Sequence, residues 1–442
     1  MHVNRLSKLS LAIGLSIATT SALASPQAFM SSRSFAMGGT GVAVATPSAA
    51  PNSNPAMMAA QQHDWADDFG LMLPSVNVRA ADEEEVIDQV DDIQDVIDQF
   101  DQDVSNLENN LSEGNAQALG ATAKDLRDRL VNFNKDTVRV NAGLGLGFAV
   151  PGNSISVGFV TSASLTATVR GELSNNDEAF LNTLVNAANS GPNAAAQLEA
   201  EVNQRKLEDG GEIEFDSRGR ILASAVAEAG ISIAKTFELN NGERFQLGVT
   251  PKYVELRTFQ YTETVSGFED DEFDGDDYQT EKSGFNLDVG AAYAFGENRE
   301  WNAGVVVKNL IPMELDSAQS RGAAFEDKYT LELNPMVTAG IAHKSDYHVV
   351  TAELDLTKKE AFGYEDDTQW LALGAEFDAW RYAQLRAGVR HNLASNDDND
   401  GIEEKTQFTA GLGLNILGAR LDIGALYSSA DVGAAIELGT AF

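Results

Sequence analysis

Apolar residues alternate with polar or small residues in short stretches that recur along most of the chain. The clearest stretch covers 137–150, where seven apolar residues from Val138 to Val150 are separated by polar residues and three glycines. Period two over this length predicts a β-strand whose two faces meet different surroundings. The turn sequence Pro-Gly-Asn-Ser follows directly at 151–154, and a similar stretch then begins.

Stretches of this kind predict fourteen strands. The turns after even-numbered strands are short, as at Glu297-Asn298 and Leu417-Gly418, whereas the loops after odd-numbered strands are mostly longer and often acidic. This asymmetry is typical of outer-membrane barrels, and an even strand count returns both termini to the periplasmic side. We therefore predict an all-β fold, a 14-stranded antiparallel transmembrane β-barrel over 65–442, in the bacterial outer membrane. The predicted strands lie near 66–80, 137–150, 155–170, 220–237, 244–263, 283–296, 300–311, 328–343, 346–358, 367–378, 381–394, 405–417, 418–429 and 432–442.

Aromatic residues gather near the short turns, as expected for one half of an interfacial girdle. The last predicted strand is amphipathic and ends at Phe442, with Ile436 and Leu438 on the same face. Such an ending resembles the signal that the outer-membrane insertion machinery reads. The aromatic residues near the short turns are Phe148, Phe237, Phe245, Phe295, Trp301, Trp380 and Tyr382.

Two long excursions between predicted strands have helical periodicity. In 82–135, apolar residues from Val86 to Leu111 recur at alternating spacings of four and three, and the pattern restarts at Leu119. This heptad seam predicts an antiparallel helical hairpin. The sequence of the second excursion, 171–219, predicts one helix before and one helix after a Gly-Pro break. Both follow odd-numbered strands, so both inserts are expected to be extracellular.

The first residues have the features of a secretion signal. Arg5 and Lys8 precede a short, mostly apolar run, and Ala22-Leu23-Ala24 fits the A-x-A cleavage pattern. We predict a signal peptide at 1–24 and Ser25 as the first residue of the mature chain. No later run of about 18 apolar residues predicts a transmembrane helix.

Composition and charge narrow the choice of partners. The chain has 31 Lys and Arg against 67 Asp and Glu, a formal net charge of −36, and no Cys. Because nucleic-acid affinity depends on cationic contacts to phosphates, no nucleic-acid partner is expected. The lack of Cys excludes disulfides and Cys-based metal sites. The expected surroundings are outer-membrane lipid and lipopolysaccharide, and no cofactor is expected.

A glycine-rich motif and an Asn-Pro motif stand near the start of the mature chain, within 31–60. Glycines allow a backbone to pack closely inside a confined lumen, Asn54 can cap a short helix, and Pro55 suits its first position. These features favour a hatch over 25–64, with a flexible mature N-terminus as the alternative. The motif residues are Gly38, Gly39, Gly41, Asn54, Pro55 and Ala56.

The N-terminal motifs resemble the start of FadL-like outer-membrane transporters and the related PorV-like barrels. A later segment, WNAGVVVKNLIP at 301–312, resembles TraF-like conjugal transfer proteins. The resemblance implies a fourteen-stranded barrel with an N-terminal hatch folded into its lumen. In the FadL-like group, hydrophobic molecules enter from outside, pass the hatch region and leave sideways through a strand distortion.

Charged residues occupy the predicted inner face of the strands. Mixed charge suits a lumen plugged by polypeptide, since each charge can find a partner there, but it does not by itself outline an apolar tunnel. These residues are Arg139, Lys252, Asp288, Lys308, Glu353, Asp355, Arg386, Arg390 and Asp422.

Proline interrupts two predicted strands. Pro251 stands in the fifth strand, where the apolar face is predicted to switch near Val254. Because Pro removes a ladder hydrogen bond and favours a bulge or an opening, we predict a bulge here, with a lateral exit as the sharper hypothesis. Pro335 in the eighth strand is a second candidate.

Other chemical motifs are weak. The acidic turn 396–401 spaces oxygen atoms as a calcium loop does, with Asp398 and Asp400 as candidate ligands, but Gln407 stands where a bidentate Glu is wanted. The glycines at 143–147 lack the strand–turn–helix setting of a dinucleotide-binding loop. Nothing in the sequence places a Ser beside a His, so no enzymatic role is expected.

Two classes of function remain open. The first is a FadL-like passive channel for small hydrophobic molecules, which predicts a ligand in the lumen. The second is a TraF-like conjugal transfer or surface-assembly protein, in which the helical hairpin docks a protein partner and the barrel is an anchor. The second class predicts a lumen that the hatch fully occludes.

Overall fold

The computed structural model of the chain describes residues 29–60, 70–82, 86–152, 154–208, 211, 213–239, 243–265, 278–319, 328–378, 382–394 and 402–441. The predicted signal peptide, Trp380, the calcium-loop candidates Asp398 and Asp400, and Phe442 lie outside these ranges.

Fourteen of the described strands close into an antiparallel barrel, which confirms the predicted fold class. Each barrel strand pairs with the next barrel strand in the chain, so that β7 pairs with β10, and β1 closes the barrel by pairing with β16. The two remaining strands, β8 and β9, form a small separate sheet. The strands are β1 (Gly70–Asp82), β2 (Thr137–Val150), β3 (Ile155–Glu172), β4 (Arg218–Glu238), β5 (Arg244–Thr264), β6 (Gln279–Phe295), β7 (Trp301–Lys308), β8 (Met313–Asp316), β9 (Thr330–Leu333), β10 (Met336–Lys344), β11 (His348–Asp355), β12 (Trp370–Phe377), β13 (Ala383–Asn392), β14 (Thr406–Ile416), β15 (Ala419–Tyr427) and β16 (Asp431–Ala441).

The alternation in the sequence separates an outer apolar face from an inner face of glycines and polar residues. In β2, Leu144 and Leu146 point outward and are 48% and 39% exposed, whereas Gly145 and Gly147 between and after them are buried. Exposed apolar side chains cover the outside of most barrel strands. Such a belt is stable when it faces hydrocarbon, and the closed ladder leaves no strand edge unpaired there.

One predicted strand is divided in two. The stretch 328–343 forms β9 and then β10, with Asn334 and Pro335 between them. Pro335 has no N–H to donate to a ladder, and at this point the chain leaves the small sheet and enters the barrel wall. The prediction of one continuous strand is therefore wrong. The preceding barrel strand also ends earlier than predicted, at Lys308.

Strands β3 to β6 are much longer than β10 to β13, with 17 to 21 residues against 8 to 10. The apolar residues of β5 change face near Val254, as predicted. Leu247 and Val249 lie on the exposed outer face, whereas Val254 and Leu256 lie on the buried inner face. On the other face, Glu255 and Arg257 form an ion pair of 2.7 Å. The outer apolar belt therefore ends near Tyr253, and the long strands continue beyond it on the long-loop side.

Residues 29–60, the inner segment, lie within the barrel and are largely buried. The segment contains α1 (Ser32–Ala36), α2 (Ala50–Ser53) and a 3-10 helix (Pro55–Ala59). Helix α1 contacts β1 and β13 to β16, whereas the 3-10 helix contacts β3 to β6. The inner segment thus crosses the lumen from one wall to the opposite wall.

The two helical inserts fold together instead of forming separate units. They contain α3 (Val86–Asn109), α4 (Glu113–Phe133), α5 (Asn175–Ala188) and α6 (Ala194–Glu208), here called the helical domain. Apolar residues of all four helices form one buried cluster. None of the described helices is both long and apolar enough to cross a membrane. The cluster includes Ile97, Phe100, Val104, Leu107, Leu119, Leu126, Leu130, Leu181, Leu184, Leu198 and Val202.

Candidate functional site

Glycines on the inner face of the barrel allow the inner segment to approach the wall. A Cβ on Gly304 would collide with the carbonyl oxygen of Val42, and a Cβ on Gly290 would collide with the side chain of Asn54. Any other residue at these positions would push the segment away from the strands. Further glycines that face the inner segment are Gly145, Gly147, Gly158, Gly248, Gly374, Gly388, Gly411, Gly424 and Gly433.

The predicted motif glycines lie in the turn after α1. Gly38 and Gly39 have φ angles of +74° and +86°, a left-handed conformation that residues with a Cβ rarely adopt. The backbone N–H of Gly38 donates to Thr409 Oγ1 on β14 at 2.9 Å. A Cβ on Gly38 would lie 3.0 Å from the carbonyl oxygen of Leu373. The turn is thus pressed against the wall of β12 to β14.

Asn54 makes hydrogen bonds that connect the second half of the inner segment with its first half and with the barrel. It is the N-cap of the 3-10 helix, accepting from the N–H of Ala56 at 3.1 Å, and Pro55 occupies the first helical position. Its side-chain Nδ2 donates to the carbonyl oxygens of Val42 at 2.9 Å and Ala291 at 3.1 Å.

Glu353 on β11 binds the middle of the inner segment. Its carboxylate accepts hydrogen bonds from three successive backbone N–H groups, those of Gly41 at 3.0 Å, Val42 at 2.7 Å and Ala43 at 3.1 Å. Successive N–H groups that converge in this way form a binding concavity for an anion. The third motif glycine, Gly41, therefore contributes its backbone N–H to the contact with Glu353, which no local sequence pattern predicts.

Buried ion pairs connect α1 with the short-turn end of the lumen. Two nitrogens of Arg33 donate to the two carboxylate oxygens of Glu376 at 2.8 Å. Glu376 also accepts from Arg386 at 2.6 Å, and Arg386 in turn contacts Asp422, which Arg420 also contacts. Removing one member of such a buried group typically costs about 3–5 kcal/mol, because the remaining charge loses its partner.

A second charge cluster lies at the long-loop end. Glu404, in the loop before β14, is buried between Arg79 at 2.8 Å and Arg139 at 2.7 Å. Arg139 also pairs with Asp431 at 2.7 Å. The loop after β13 is therefore drawn into the mouth of the barrel.

The loop 356–369 between β11 and β12 crosses the lumen. Its Phe362 and Tyr364 are buried in one apolar cluster with Leu222 and Val226 of β4, several strands away on the other side of the barrel. The guanidinium of Arg170 lies 4.9 Å from the centre of the Tyr364 ring. The lumen is therefore covered from the long-loop side.

A cavity of about 190 Å³ remains between this loop and the inner segment. We call it the lumenal cavity. Lys359 and Thr368 belong to the loop, while Gly39 and Asn52 belong to the inner segment, and all four line it. The wall of the cavity is formed by β7 and β10 to β13. Of the predicted inner-face charges, those that line the cavity are Lys308, Glu353, Asp355 and Arg390.

The described barrel wall is irregular in β1. Leu73 and Pro74 together stand opposite one residue on each neighbouring strand, Leu146 on β2 and Leu438 on β16, because the register shifts by one on both sides. The side chains of both residues are exposed on the outside. This β-bulge was missed in the sequence, although a slip of the outward positions from 71 and 73 to 76 and 78 signals it.

Pro251, in contrast, does not shift the register. The pairs Gly230–Lys252 and Ile233–Val249 flank it on β4 in the same register, and Pro251 itself pairs with Leu287 on β6. Across the gap in the β4 ladder, the hydroxyls of Ser232 and Thr250 lie 2.7 Å apart. The predicted bulge is therefore absent at Pro251, and a lateral exit there stays a prediction.

The sequence matches one protein family over much of its length. The sequence model of the family described as F plasmid transfer operon, TraF, protein matches residues 51–355 of the 442. No curated protein sequence matches the chain.

Several solved structures are similar in fold. A mutant of the monoaromatic hydrocarbon channel TodX superposes with a TM-score of 0.50 at 12% identity, covering 94% of this chain and 99% of that one. The Pseudomonas putida toluene transporter TodX gives 0.46 at 12% identity, covering 94% and 100%. A Pseudomonas aeruginosa FadL homologue gives 0.45 at 9% identity, covering 93% and 97%. At 12% identity, the similarity to the TodX mutant shows a shared barrel fold and no more.

Proposed function

The chain belongs to the family of the TraF protein of the F plasmid transfer operon, and from this membership together with its FadL-type barrel fold we propose that it is a passive outer-membrane channel for small, largely apolar molecules. The long loops and the helical domain face the outside, and both termini face the periplasm. The cargo class of the channels named above is carried over to this chain only as part of this proposal.

The observation that carries the proposal is a lumen that the inner segment does not fill. The lumenal cavity measures about 190 Å³, and an engineered cavity of about 150 Å³ is already large enough for benzene. It is bounded by two elements that the strand ladder does not fix in place, the loop 356–369 and the inner segment. Movement of either element would connect the cavity with one side of the membrane.

Phe29 stands between the lumenal cavity and the bulge in β1. Its side chain lines the cavity and at the same time covers Gly145 on β2. Gly145 pairs with Ser75, the residue that follows the bulge. We propose that a molecule leaves the cavity past Phe29 and through the wall beside Leu73 and Pro74, where two residues face one neighbour on each side.

Uptake of labelled toluene by Gram-negative cells that express the chain tests the channel. Deleting Pro74 removes the bulge while every other β1 side chain keeps its face, so we expect uptake several-fold slower than that of the wild type. Phe29→Ala opens the route and is expected to accelerate uptake. Pro251→Thr is the matched change in a strand that is already in register, and it should leave uptake unchanged.

The possible outcomes separate the two exits from each other and from no channel at all. Slow uptake in the Pro251→Thr variant with normal uptake after deletion of Pro74 would move the exit to β5. Wild-type uptake no faster than in cells with an empty vector would reject the channel.

The helical domain favours a second candidate function, docking of a protein partner at the cell surface. Its four helices share one hydrophobic core of their own, whereas a short turn would be enough to connect the barrel strands. In this alternative the barrel is an anchor, consistent with a family named for a transfer operon.

Removal of the helical domain tests this alternative. Both inserts must be replaced by short turns in one variant, because removing 86–133 alone would expose Leu181, Leu184 and Leu198. Loss of cell–cell transfer with unchanged toluene uptake would establish docking as a function separate from the channel. Loss of uptake without a transfer defect would assign the domain to the channel.

A further inference from the structure

Two histidine rings face each other at the short-turn end of the barrel. His343 is the last residue but one of β10, and His348 is the first residue of β11. His343 Nδ1 and His348 Nε2 are 3.3 Å apart. Both side chains are half-buried and point outward, because Ile341 and Val350, two residues away on the same strand faces, are exposed on the outside. The pair therefore lies on the outer wall, separate from the lumenal cavity.

The distance between the two ring nitrogens is longer than that of most hydrogen bonds from N–H groups. Such donors usually lie about 2.7–3.2 Å from an oxygen acceptor. Two nitrogen ligands of a tetrahedral zinc ion, each about 2.0–2.1 Å from the metal, are about 3.3–3.4 Å apart. The observed 3.3 Å lies just beyond the first range and within the second. A metal ion can therefore replace the proton between the rings without a large movement of either ring.

Each ring is positioned by a second contact. Ser345 Oγ lies 2.7 Å from His348 Nδ1 and accepts from the backbone N–H of His348 at 3.2 Å. With a metal on Nε2, His348 keeps its proton on Nδ1 and donates it to this hydroxyl oxygen, the kind of contact that orients metal-bound histidines. His343 packs edge-on against its cross-strand partner Trp301, with ring centres 4.8 Å apart. The contact between Ser345 and His348 was not predicted from the sequence.

The turns beside the pair carry more carboxylates than cations. The end of β10 adjoins the turn between β6 and β7, because the N–H of Lys344 donates to the carbonyl oxygen of Glu300 at 2.8 Å. Among the described residues, no third His, Cys, Asp or Glu side chain completes a ligand set with the pair, so water fills the remaining positions around an ion. The charged residues of the two turns, with Lys344, are Glu297, Arg299, Glu300 and Asp346.

We propose that His343 Nδ1 and His348 Nε2 bind one divalent transition-metal ion at the short-turn end of the barrel, with water as the other ligands. Imidazole nitrogens suit zinc, copper and nickel, whereas calcium and magnesium prefer oxygen ligands. The ion links β10 with β11 next to the turn that joins them. Because the site lies on the outer wall, this inference goes beyond the proposed channel and does not depend on it.

Titration of Zn²⁺ into the purified full-length mature protein in detergent, prepared without a histidine tag, tests the inference. Isothermal titration calorimetry at pH 7 should show one Zn²⁺ ion bound per chain. His343→Gln and His348→Gln each remove one of the two protein ligands, so each should weaken binding by more than about tenfold. Ser345→Ala keeps both ligands and should weaken binding about tenfold, as the loss of an outer-shell partner does.

A matched histidine and a spectroscopic measurement keep the test decisive. His391, on β13 at the long-loop end, contacts Thr406 Oγ1 at 2.8 Å, and His391→Gln should bind Zn²⁺ as the wild type does. Electron paramagnetic resonance of the wild type with one equivalent of Cu²⁺ requires no variant to fold. Its spectrum should show splitting from two nitrogen ligands, and that of His343→Gln should show splitting from one.

Three outcomes would overturn the proposal. These are unchanged Zn²⁺ affinity in the folded His343→Gln and His348→Gln variants, loss of binding in His391→Gln, and a wild-type Cu²⁺ spectrum with a single nitrogen ligand. The last would mean that the two rings do not hold one ion together and that the contact between them is only a hydrogen bond. The toluene uptake experiment depends on none of these measurements, so failure of this inference is distinguishable from failure of the channel.

Discussion

At the scale of single residues, burial of charge is compensated by partners that are distant in sequence. Arg33 and Glu376, which pair inside the lumen, are 343 residues apart. The helical domain contains a comparable group. The carboxylate of Asp177 is fully buried and accepts from the N–H and hydroxyl of Ser217, both at 2.5 Å, and from Arg205 at 3.2 Å.

Asp177 makes the helical domain less stable as the pH rises. Burial raises the pKa of this carboxyl above its usual value, and the hydrogen bonds from Ser217 and the charge of Arg205 only partly oppose the rise. A raised pKa in the folded state means that the contribution to stability is complete below the unfolded pKa of about 3.9 and is lost as the pH rises through the folded value.

We therefore expect Asp177→Asn to gain stability relative to the wild type between pH 4 and pH 7. Urea unfolding of the helical domain, followed by circular dichroism at both pH values, measures the difference. Asp216→Asn, at a neighbouring side chain that is 55% exposed, removes the same charge without uncovering a buried group and is the control. A variant that becomes relatively less stable at pH 7 would show that the hydrogen bonds outweigh burial.

At the scale of elements, the distance between neighbouring helices decides whether a glycine can be replaced by a residue with a Cβ. In α4, a Cβ on Gly120 would collide with the Cβ of Ala188 in α5, whereas a Cβ on Gly114 meets only Ser112 Oγ, at 4.0 Å. Both glycines lie in the same helix, so the higher helix propensity of alanine favours the substitution at both positions.

The two alanine substitutions should have opposite effects. Gly114→Ala is expected to stabilise the helical domain by up to about 1 kcal/mol, because alanine restricts the unfolded chain. Gly120→Ala is expected to destabilise it by about 1–3 kcal/mol through overpacking. Hydrogen exchange of α4 and α5 amides measures both changes. Equal effects of the two substitutions would contradict the close helix crossing.

The elements themselves could largely be predicted from sequence, because their periodicity is local. The alternation that predicts 137–150 as a strand and the heptad spacing from Ile93 to Leu107 both survive in the structure. Relations between elements could not be predicted. Nothing local shows that Leu119 and Leu184 share one core, that Phe362 reaches Leu222, or that Glu353 binds three backbone N–H groups of the inner segment.

At the scale of the whole molecule, the proposed channel opens when the loop 356–369 or the inner segment moves relative to the wall, and a covalent link between the inner segment and the wall distinguishes the two. The chain contains no Cys, so two engineered cysteines can form a disulfide only with each other within the chain. A Cβ on Gly70, at the start of β1, would lie 3.0 Å from the Cβ of Ser48 in the inner segment, within a small shift of disulfide geometry.

The double variant Ser48→Cys/Gly70→Cys is therefore expected to lose most toluene uptake when oxidised and to recover it on reduction. Each single variant, under the same oxidising conditions, controls for the substitutions. Uptake that is the same in the oxidised and reduced double variant would show that molecules pass without displacement of this part of the segment.

The divided origin of the helical domain has a consequence for biogenesis. Its first half precedes β2 and its second half follows β3, so the β2–β3 hairpin must form before the halves can meet. Until then each half carries an uncovered apolar stripe, which is a risk for aggregation. With the helical domain outside, as proposed, its completion there would oppose backward slippage of the β2–β3 hairpin, so that the core of the domain would keep the hairpin inserted.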